Sequence, residues 1–350
     1  MGFELRIEPL GQVVGIEEGQ TVLDAALRAG VYLPHACGHG LCGTCKVRVL
    51  DGEVEHGAAS SFALMDFERD EGYCLACCAT AEQDLAIEAD IDEDSDARGI
   101  PVETFSGVVS RIEDLTPTIK GVWIGLDRPL DFQAGQYVML DVPEGIGTRA
   151  FSIANAPGSS HIELNVRRVP GGAGTGYVHE RLEVGDALRL SGPYGRFFVR
   201  ASAELPLLFM AGGSGVSSPR SMILDLLGRG CTLPMTLVYG QRSRAELYGH
   251  DEFLALAAAH AHFHYVPVLS DAAADGDWSG RRGFVHDAAR EHFGNDFRGH
   301  KAYLCGPPAM IDACISTLMQ GRLFERDIHF ERFISAADSR QLRSPLFRSI

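Results

Sequence analysis

His35-Ala-Cys37-Gly-His-Gly-Leu-Cys42-Gly-Thr-Cys45 is the stretch on which the fold turns. Its three cysteines stand in a C-x4-C-x2-C run, the spacing by which one tight loop supplies three of the four thiolates of a [2Fe–2S] cluster. Two irons sharing a small inorganic core take thiolates on two sides, so the fourth must come from a separate segment. Tyr73-Cys74-Leu-Ala-Cys77-Cys78 offers three candidates for it. Gly38, Gly40 and Gly43 suit a close-fitting loop, because residues without Cβ let backbone N–H groups turn toward sulfur. Zinc is the competing reading. It favours paired C-x2-C spacings, which Cys42/Cys45 and Cys74/Cys77 both provide.

The chain has 350 residues, 45% hydrophobic and 22% charged, which suits two or three globular domains with ample core. No uncharged apolar run is long enough to span a bilayer. The opening Met1-Gly-Phe-Glu-Leu-Arg-Ile alternates like a strand and lacks the regions of a signal peptide, and Arg6 stands where a myristoylation motif requires Ser or Thr. A cytoplasmic protein is expected, its nine cysteines serving as cluster ligands and free thiols in place of disulfides. A net charge of −16 argues against binding nucleic acid or anionic membranes. It suits salt-sensitive docking to a basic face of a protein partner, although acidity serving only solubility would read the same.

Residues 3–7 and 12–16 read as a hairpin, and Thr21 to Gly30 as a short helix with Thr21 at its N-cap and Gly30 at its stop. Lys46 to Leu50 is a strand followed by an Asp51-Gly52 turn, and the acidic run Glu88 to Asp96 reads as a solvated linker. Six short alternating strands follow, at 105–112, 118–124, 135–141, 150–154, 162–168 and 187–191, with Gly/Pro turns between them: the pattern of an all-β barrel. From residue 205 the period changes. Strands at 206–211, 235–239, 263–268 and 301–304 alternate with helices at 219–228, 250–260, 284–293 and 308–320, which argues for a doubly wound parallel sheet.

Residues 1–95 resemble a plant-type [2Fe–2S] ferredoxin domain of the β-grasp fold, in which the last ligand follows a Leu-x dipeptide. By that frame Leu75-Ala76-Cys77 makes Cys77 the fourth ligand with Cys37, Cys42 and Cys45, and leaves Cys74 and Cys78 as non-ligand thiols. Arg149-Ala-Phe151-Ser152 taken alone could belong to any barrel strand. In its context it resembles the R-x-[YF]-S signature of the ferredoxin–NAD(P)+ reductase superfamily, carried on a six-stranded antiparallel FAD-binding barrel. The resemblance implies that Arg149 pairs with the FAD phosphates, that Phe151 packs on the isoalloxazine, and that Ser152 hydrogen-bonds near flavin N5. The family more often has Tyr at position 151, so no tyrosine hydroxyl acts there.

Gly172-Ala-Gly-Thr175 resembles the second phosphate motif, G-x-x-[ST], opening a helix whose N–H groups face the pyrophosphate, and Ser191-Gly-Pro-Tyr-Gly195 resembles the turn that closes the barrel. Gly212, Gly213 and Gly215 lie in a loop similar to the superfamily's nicotinamide-nucleotide loop, with Ser214 where Thr is common. Cys305-Gly306-Pro307 resembles the C-G-P motif at the carboxyl edge of the sheet and implies a thiol beside nicotinamide C4, although a plain buried thiol is the commoner fate of a strand-end Cys. Glu331-Arg-Phe333 resembles the terminal E-x-[aromatic] element whose ring covers the flavin, with Phe330 as a competitor. Ser152, Cys305, Glu331 and Phe333 are the catalytic residues implied. Arg242 and Arg244 could accept a ribose 2′-phosphate or be solvated; the wider resemblance favours NADH.

In the order ferredoxin (1–95), linker (96–100), FAD barrel (101–202), NAD(H)-binding domain (203–335) and tail (336–350), the chain is similar to reductase components of soluble di-iron multicomponent monooxygenases, the phenol hydroxylase group above all. Ser61 to Asp70, Tyr303 to Pro308, Met319 to Ile328, and Arg332-Phe333 with Ala336-Ala337-Asp338 carry that likeness. It implies an NADH:acceptor oxidoreductase that relays electrons from NADH through FAD and the [2Fe–2S] cluster to a separate di-iron hydroxylase acting on an aromatic substrate. The reductase of a Rieske ring-hydroxylating dioxygenase would share all three domains. A non-catalytic electron carrier or redox-sensing subunit would share the motifs without turnover.

Overall fold

The N-terminal strands form where alternation requires them: Leu5 and Ile7 are buried, while Glu4 and Arg6 face outward. β1 (Gly2–Glu8) and β2 (Gln12–Glu17) pair as an antiparallel hairpin. α1 (Val22–Arg28) begins at Thr21, whose hydroxyl accepts from Asp24 N at 3.2 Å, and buries Val22, Leu23, Ala25 and Ala26. There follow β3 (Lys46–Asp51), β4 (Val54–Glu55), α2 (Asp66–Asp70), β5 (Tyr73–Leu75), β6 (Thr80–Ala81) and β7 (Leu85–Glu88). The main sheet runs β2-β1-β7-β3-β5, with β1 parallel to β7 and the other pairs antiparallel, and it shares a hydrophobic core with α1: a β-grasp arrangement. The computed structural model describes residues 2–91, 94–271, 276 and 278–333.

The segment read as a linker does not run free. Val102 N donates to Leu27 O at 2.9 Å, and Gly30 (φ +77°) lies so close to Gly99 that a Cβ there would stand 2.7 Å from Gly99 O. Glu103 closes this first compact unit and Thr104 opens the second.

In the second unit, β8 (Glu103–Asp114), β9 (Ile119–Leu126), β10 (Tyr137–Val142), β11 (Gly147–Ser152), β12 (His161–Arg167) and β13 (Ala187–Tyr194) form an antiparallel sheet in the order β11-β10-β13-β8-β9-β12, with α3 (Ala173–Glu180) between β12 and β13. Its two edges meet at a bridge between Ile153 and Leu164, so the sheet curls into a barrel. Along β12, Ile162, Leu164 and Val166 enter the barrel core, yet Glu163 and Asn165 on the opposite face are buried too. Something covers that outer face.

The cover is the nucleotide sheet. β14 (Leu207–Gly212), α4 (Ser217–Gly228), β15 (Met235–Gln241), α5 (His250–Ala259), β16 (Phe263–Leu269), β17 (Arg281–Arg282), α6 (Val285–His292), β18 (Lys301–Gly306), α7 (Pro308–Gln320) and β19 (Ile328–Arg332) alternate strand and helix. All six strands run parallel in the order β17-β16-β15-β14-β18-β19. β14 is buried throughout, as a strand covered on both faces must be. Strand order reverses between β14 and β18, and such a switch point opens a crevice at the carboxyl ends of the strands. One hydrophobic cluster joins Ile119, Ala134 and Phe197 of the barrel to Leu207, Phe209 and Tyr303 of the sheet. Periodicity does not predict β17 or β19. No helix among the described residues is long and apolar enough to cross a membrane, and the 336–350 tail with Ala336-Ala337-Asp338 lies outside them.

Candidate functional site

The cysteine loop lies between α1 and β3. Cys37 Sγ accepts from His39 N and Leu41 N, both at 3.4 Å, so the loop already directs amides at sulfur. Gly40 has φ +74°, and a Cβ on it would meet Cys78 Sγ at 2.7 Å and Ala58 O at 2.9 Å, so only glycine fits. Ala76 N donates to Cys45 O at 2.9 Å and brings the second segment to the loop. Hydrogen bonding couples Cys42 to Cys37 and Cys45 to Cys77, and Cys77 Sγ also lies 3.7 Å from Cys78 Sγ. Among the described residues no group of three or more such side chains is gathered closely enough to hold a metal ion as it stands. A two-by-two donor set is nevertheless the one that a two-iron core requires, so these residues fit a [2Fe–2S] cluster.

Burial alone would raise the Cys42 thiol, but hydrogen bonding with Thr44 and Cys37 outweighs it and brings the group down to about 7. Cys74 is fully buried on β5 and its thiol is pushed up to about 12, the condition of an inert core cysteine. Cys78 lies 3.7 Å from Cys77 Sγ and is raised by burial.

At the barrel edge, Arg149 on β11 reaches across to the first turn of α3. A Cβ on Gly174 would stand 2.8 Å from Arg149 Cγ, so that turn must stay bare. Thr175 Oγ1 accepts from Val169 N at 3.1 Å and donates to Gly172 O at 3.4 Å, closing the turn at the N-cap Gly172. Arg149, Gly172 and Thr175 thus converge on a helix N-terminus, an arrangement that favours a diphosphate. Phe151 is half-buried on β11, and Ser152 is buried at its end.

At the switch point, Gly212 ends β14, and Gly213 and Gly215 turn the chain into α4. A Cβ on Gly215 would stand 2.4 Å from Cys305 O, so this loop is seated directly on the end of β18. Register places Cys305 beside Ala211 on one side and Glu331 on the other. Glu331 Oε2 accepts from Ser152 Oγ and Ser218 Oγ, each at 3.3 Å, and Cys305 Sγ approaches it at 3.7 Å. Ser152, Cys305 and Glu331, separated by up to 179 residues of chain, therefore meet at one carboxylate oxygen. Burial raises the Glu331 carboxyl to about 7 against the lowering effect of those hydrogen bonds. Burial and the neighbouring Glu331 push the Cys305 thiol well above its ordinary value, so it stays neutral.

Gly306 and Pro307 lead into α7. Phe333 N donates to Gly306 O at 2.9 Å, which ties that residue to the crevice. Phe330 turns outward under the Arg332 guanidinium, 4.5 Å from its ring centroid. Arg242 and Arg244 are exposed beyond β15. Two residues of this region carry no sequence signal of their own: Ser218, whose partner lies 113 residues away, and Arg220 of α4, which binds the barrel. The serine pair after the glycine loop was the nearest hint.

Residues 5–82 match the 2Fe-2S iron-sulfur cluster binding domain family, residues 108–199 the oxidoreductase FAD-binding domain family, and residues 209–315 the oxidoreductase NAD-binding domain family. The chain is 61% identical to the phenol 2-monooxygenase reductase component of Pseudomonas sp. (strain CF600), with 100% of both chains covered. It is 56% identical to the phenol hydroxylase P5 protein of Acinetobacter pittii, again over 100% of both. The crystal structure of Amycolatopsis cytochrome P450 reductase GcoB is 37% identical and superposes with a TM-score of 0.85 over 95% of this chain and 98% of that one. Cluster loop, flavin cradle and nucleotide crevice thus recur in the order in which these families place them, and the chain belongs to the family of phenol monooxygenase reductase components, oxidoreductases that join 2Fe-2S, FAD-binding and NAD-binding domains.

Proposed function

We propose that this chain takes two electrons from NADH at the Ser152–Cys305–Glu331 site and delivers them singly, from a cluster held by Cys37, Cys42, Cys45 and Cys77, to a separate cytoplasmic di-iron hydroxylase that oxidises phenol or a close aromatic relative. The observation that carries it is the meeting of barrel, parallel sheet and edge strand at Glu331 Oε2, at the switch point where a dinucleotide binds. Full-length likeness to two phenol hydroxylase reductases supports the partner over a Rieske oxygenase. Bound FAD supplies the hydride acceptor and the step from two electrons to one, which no side chain offers.

The chain's own residues bind and orient. Arg149 and the α3 amides from Gly172 to Thr175 hold the flavin diphosphate, and Phe151 backs its ring. Gly212, Gly213, Gly215, Gly306 and Pro307 leave the crevice open to the nicotinamide nucleotide. Ser152 offers its hydroxyl from the barrel side, and the neutral Cys305 thiol gives the nicotinamide an uncharged wall. Phe333, tied to Gly306, is the ring that shields the site when the crevice is empty.

An anaerobic NADH titration of the iron-reconstituted protein, followed by visible absorbance, tests the relay. Bleaching of both flavin and iron–sulfur bands by NADH, and far less by NADPH, is expected. Flavin absorbance without an iron–sulfur band would remove the cluster, and a cluster without flavin would leave only an electron carrier.

Gly215→Ala probes the crevice. Its Cβ would collide with backbone, which cannot swing aside, so the loop must move off β18. NADH-driven flavin reduction should slow by about tenfold or more while FAD stays bound. Stopped-flow absorbance measures this, and an unchanged rate would mean that the loop does not set the nicotinamide's position.

A further inference from the structure

We propose that Arg220 is a positioning residue that fixes the flavin barrel against the nucleotide sheet in the register hydride transfer needs; the inference rests on the reading of Ser152, Cys305 and Glu331 given above. Its guanidinium makes four bonds to three separate segments. Nη1 donates to Ala154 O at 2.8 Å and to Glu163 Oε2 of β12 at 3.0 Å. Nε and Nη2 donate to Glu252 Oε2 and Oε1 of α5 at 2.6 and 3.0 Å. Only 16% of the Arg220 side chain and 8% of the Glu163 side chain are exposed. A planar fork of donors meets this three-way geometry, and a lysine ammonium cannot reproduce it.

The placement of these bonds matters more than their number. Ala154 follows Ser152 by two residues on the barrel side, and Arg220 follows Ser218 by two residues in α4. The Ser152–Glu331–Ser218 contact is therefore one rung of a seam, Ala154–Arg220 is the next, and Ser221 Oγ donating to Asn155 O at 2.7 Å is the third. The outer face of β12 extends the same seam. Asn165 lies buried against Tyr248, and Arg167 Nη1 lies 3.1 Å from where a Cβ on Gly213 would stand.

A buried ion network is a poor device for stability alone, because the desolvation of its charges offsets their attraction and apolar packing would hold the two layers as well. It is a good device for register, because the fork accepts one geometry. A slip of this seam would move Ser152 and Ser218 apart at Glu331, and a displacement of about 1 Å between reacting groups is costly in rate.

The test uses the full-length holoenzyme with Arg220→Met, Arg220→Lys and Ser221→Ala. Anaerobic stopped-flow with NADH and its 4-deuterated form reads the limiting rate of flavin reduction and its KM. Hydrogen exchange of the oxidised protein reads protection of residues 153–155. The wild type must bleach its flavin with NADH; if it does not, the reading of the site fails, whatever the variants do. Given that, Arg220→Met should keep its FAD, lose about tenfold or more in limiting rate with KM little changed, and expose residues 153–155 to exchange. Arg220→Lys should recover part of the rate, and Ser221→Ala should show a smaller loss of the same kind. Should Arg220→Met lose its flavin or fail to fold, the other two decide: slower hydride transfer with FAD retained supports the seam. Wild-type limiting rates in the folded variants would reduce Arg220 to a structural role and overturn the proposal.

Discussion

Cys77→Ser should silence one-electron output while NADH still reduces the flavin at the wild-type rate. Cys77 is hydrogen-bonded to the loop cysteine Cys45, and the Ala76 N to Cys45 O bond at 2.9 Å ties the two segments together. A serine hydroxyl remains protonated at neutral pH and is a poor soft-metal ligand, so the donor set falls from four thiolates to three. Losing a second-sphere partner already costs about ten- to a hundredfold in metal affinity, and losing a ligand should cost at least that in electron delivery to an artificial acceptor or to the hydroxylase. The flavin and nucleotide residues all lie beyond Thr104, in the other compact unit. Visible spectra should therefore lose the iron–sulfur band and keep a flavin band that NADH bleaches. Flavin reduction lost in a well-folded Cys77→Ser protein would mean that the units do not work separately. Cys78→Ser is the control: if it loses the cluster where Cys77→Ser does not, the fourth ligand is Cys78.

The parts of this architecture that show in the sequence are those whose cause is local. Cysteine spacing announces the cluster loop because one loop must wrap one small object. Thr21 and Gly30 bracket α1 because capping is settled within a turn, and Leu207 to Ala211 reads as a buried strand because both faces are covered. What stays hidden depends on distant partners. β19, Ile-His-Phe-Glu-Arg, alternates over only four residues, too short a run to stand out, and it is a strand because β18 offers a free edge in register from Ala302 to Gly306. The same register carries Glu331 to Cys305; the family motifs single out each residue, but neither they nor periodicity announces that the two are neighbours. The acidic run Glu88 to Asp96 and the 96–100 stretch read as a linker by composition, yet just beyond them Val102 N bonds to Leu27 O at the end of α1. Ser218 and Arg220 sit in an ordinary helix start; the arrival of Ala154, Glu163 of β12, Glu252 of α5 and Glu331 of β19 gives them partners.

Glu331→Gln should flatten a pH dependence that the wild type shows near neutrality. Burial lifts the Glu331 carboxyl from its ordinary value of 4.5 to about 7, so it is neutral in slightly acid solution and ionises as pH rises through about 7. Ionisation places a negative charge among Ser152, Ser218 and the neutral Cys305 thiol, beside the point where electron density must arrive with the hydride, and so opposes transfer. The limiting rate of flavin reduction should fall about tenfold between roughly pH 6 and pH 8, the scale set by one unit of differential interaction. Glutamine keeps the shape without the charge, so its profile should be level across that window. Stability carries the same signature with a definite sign. A carboxyl whose folded value is raised contributes stability that is complete below about 4.5 and is lost as pH climbs through about 7. The wild-type melting temperature should therefore drop over that interval by an increment that Glu331→Gln lacks. Cys305 cannot produce this inflection, because its thiol is held far above neutrality. A Glu331→Gln protein that kept the wild-type profile in both rate and melting would place the titrating group elsewhere and deny Glu331 its part in setting the charge at the hydride site.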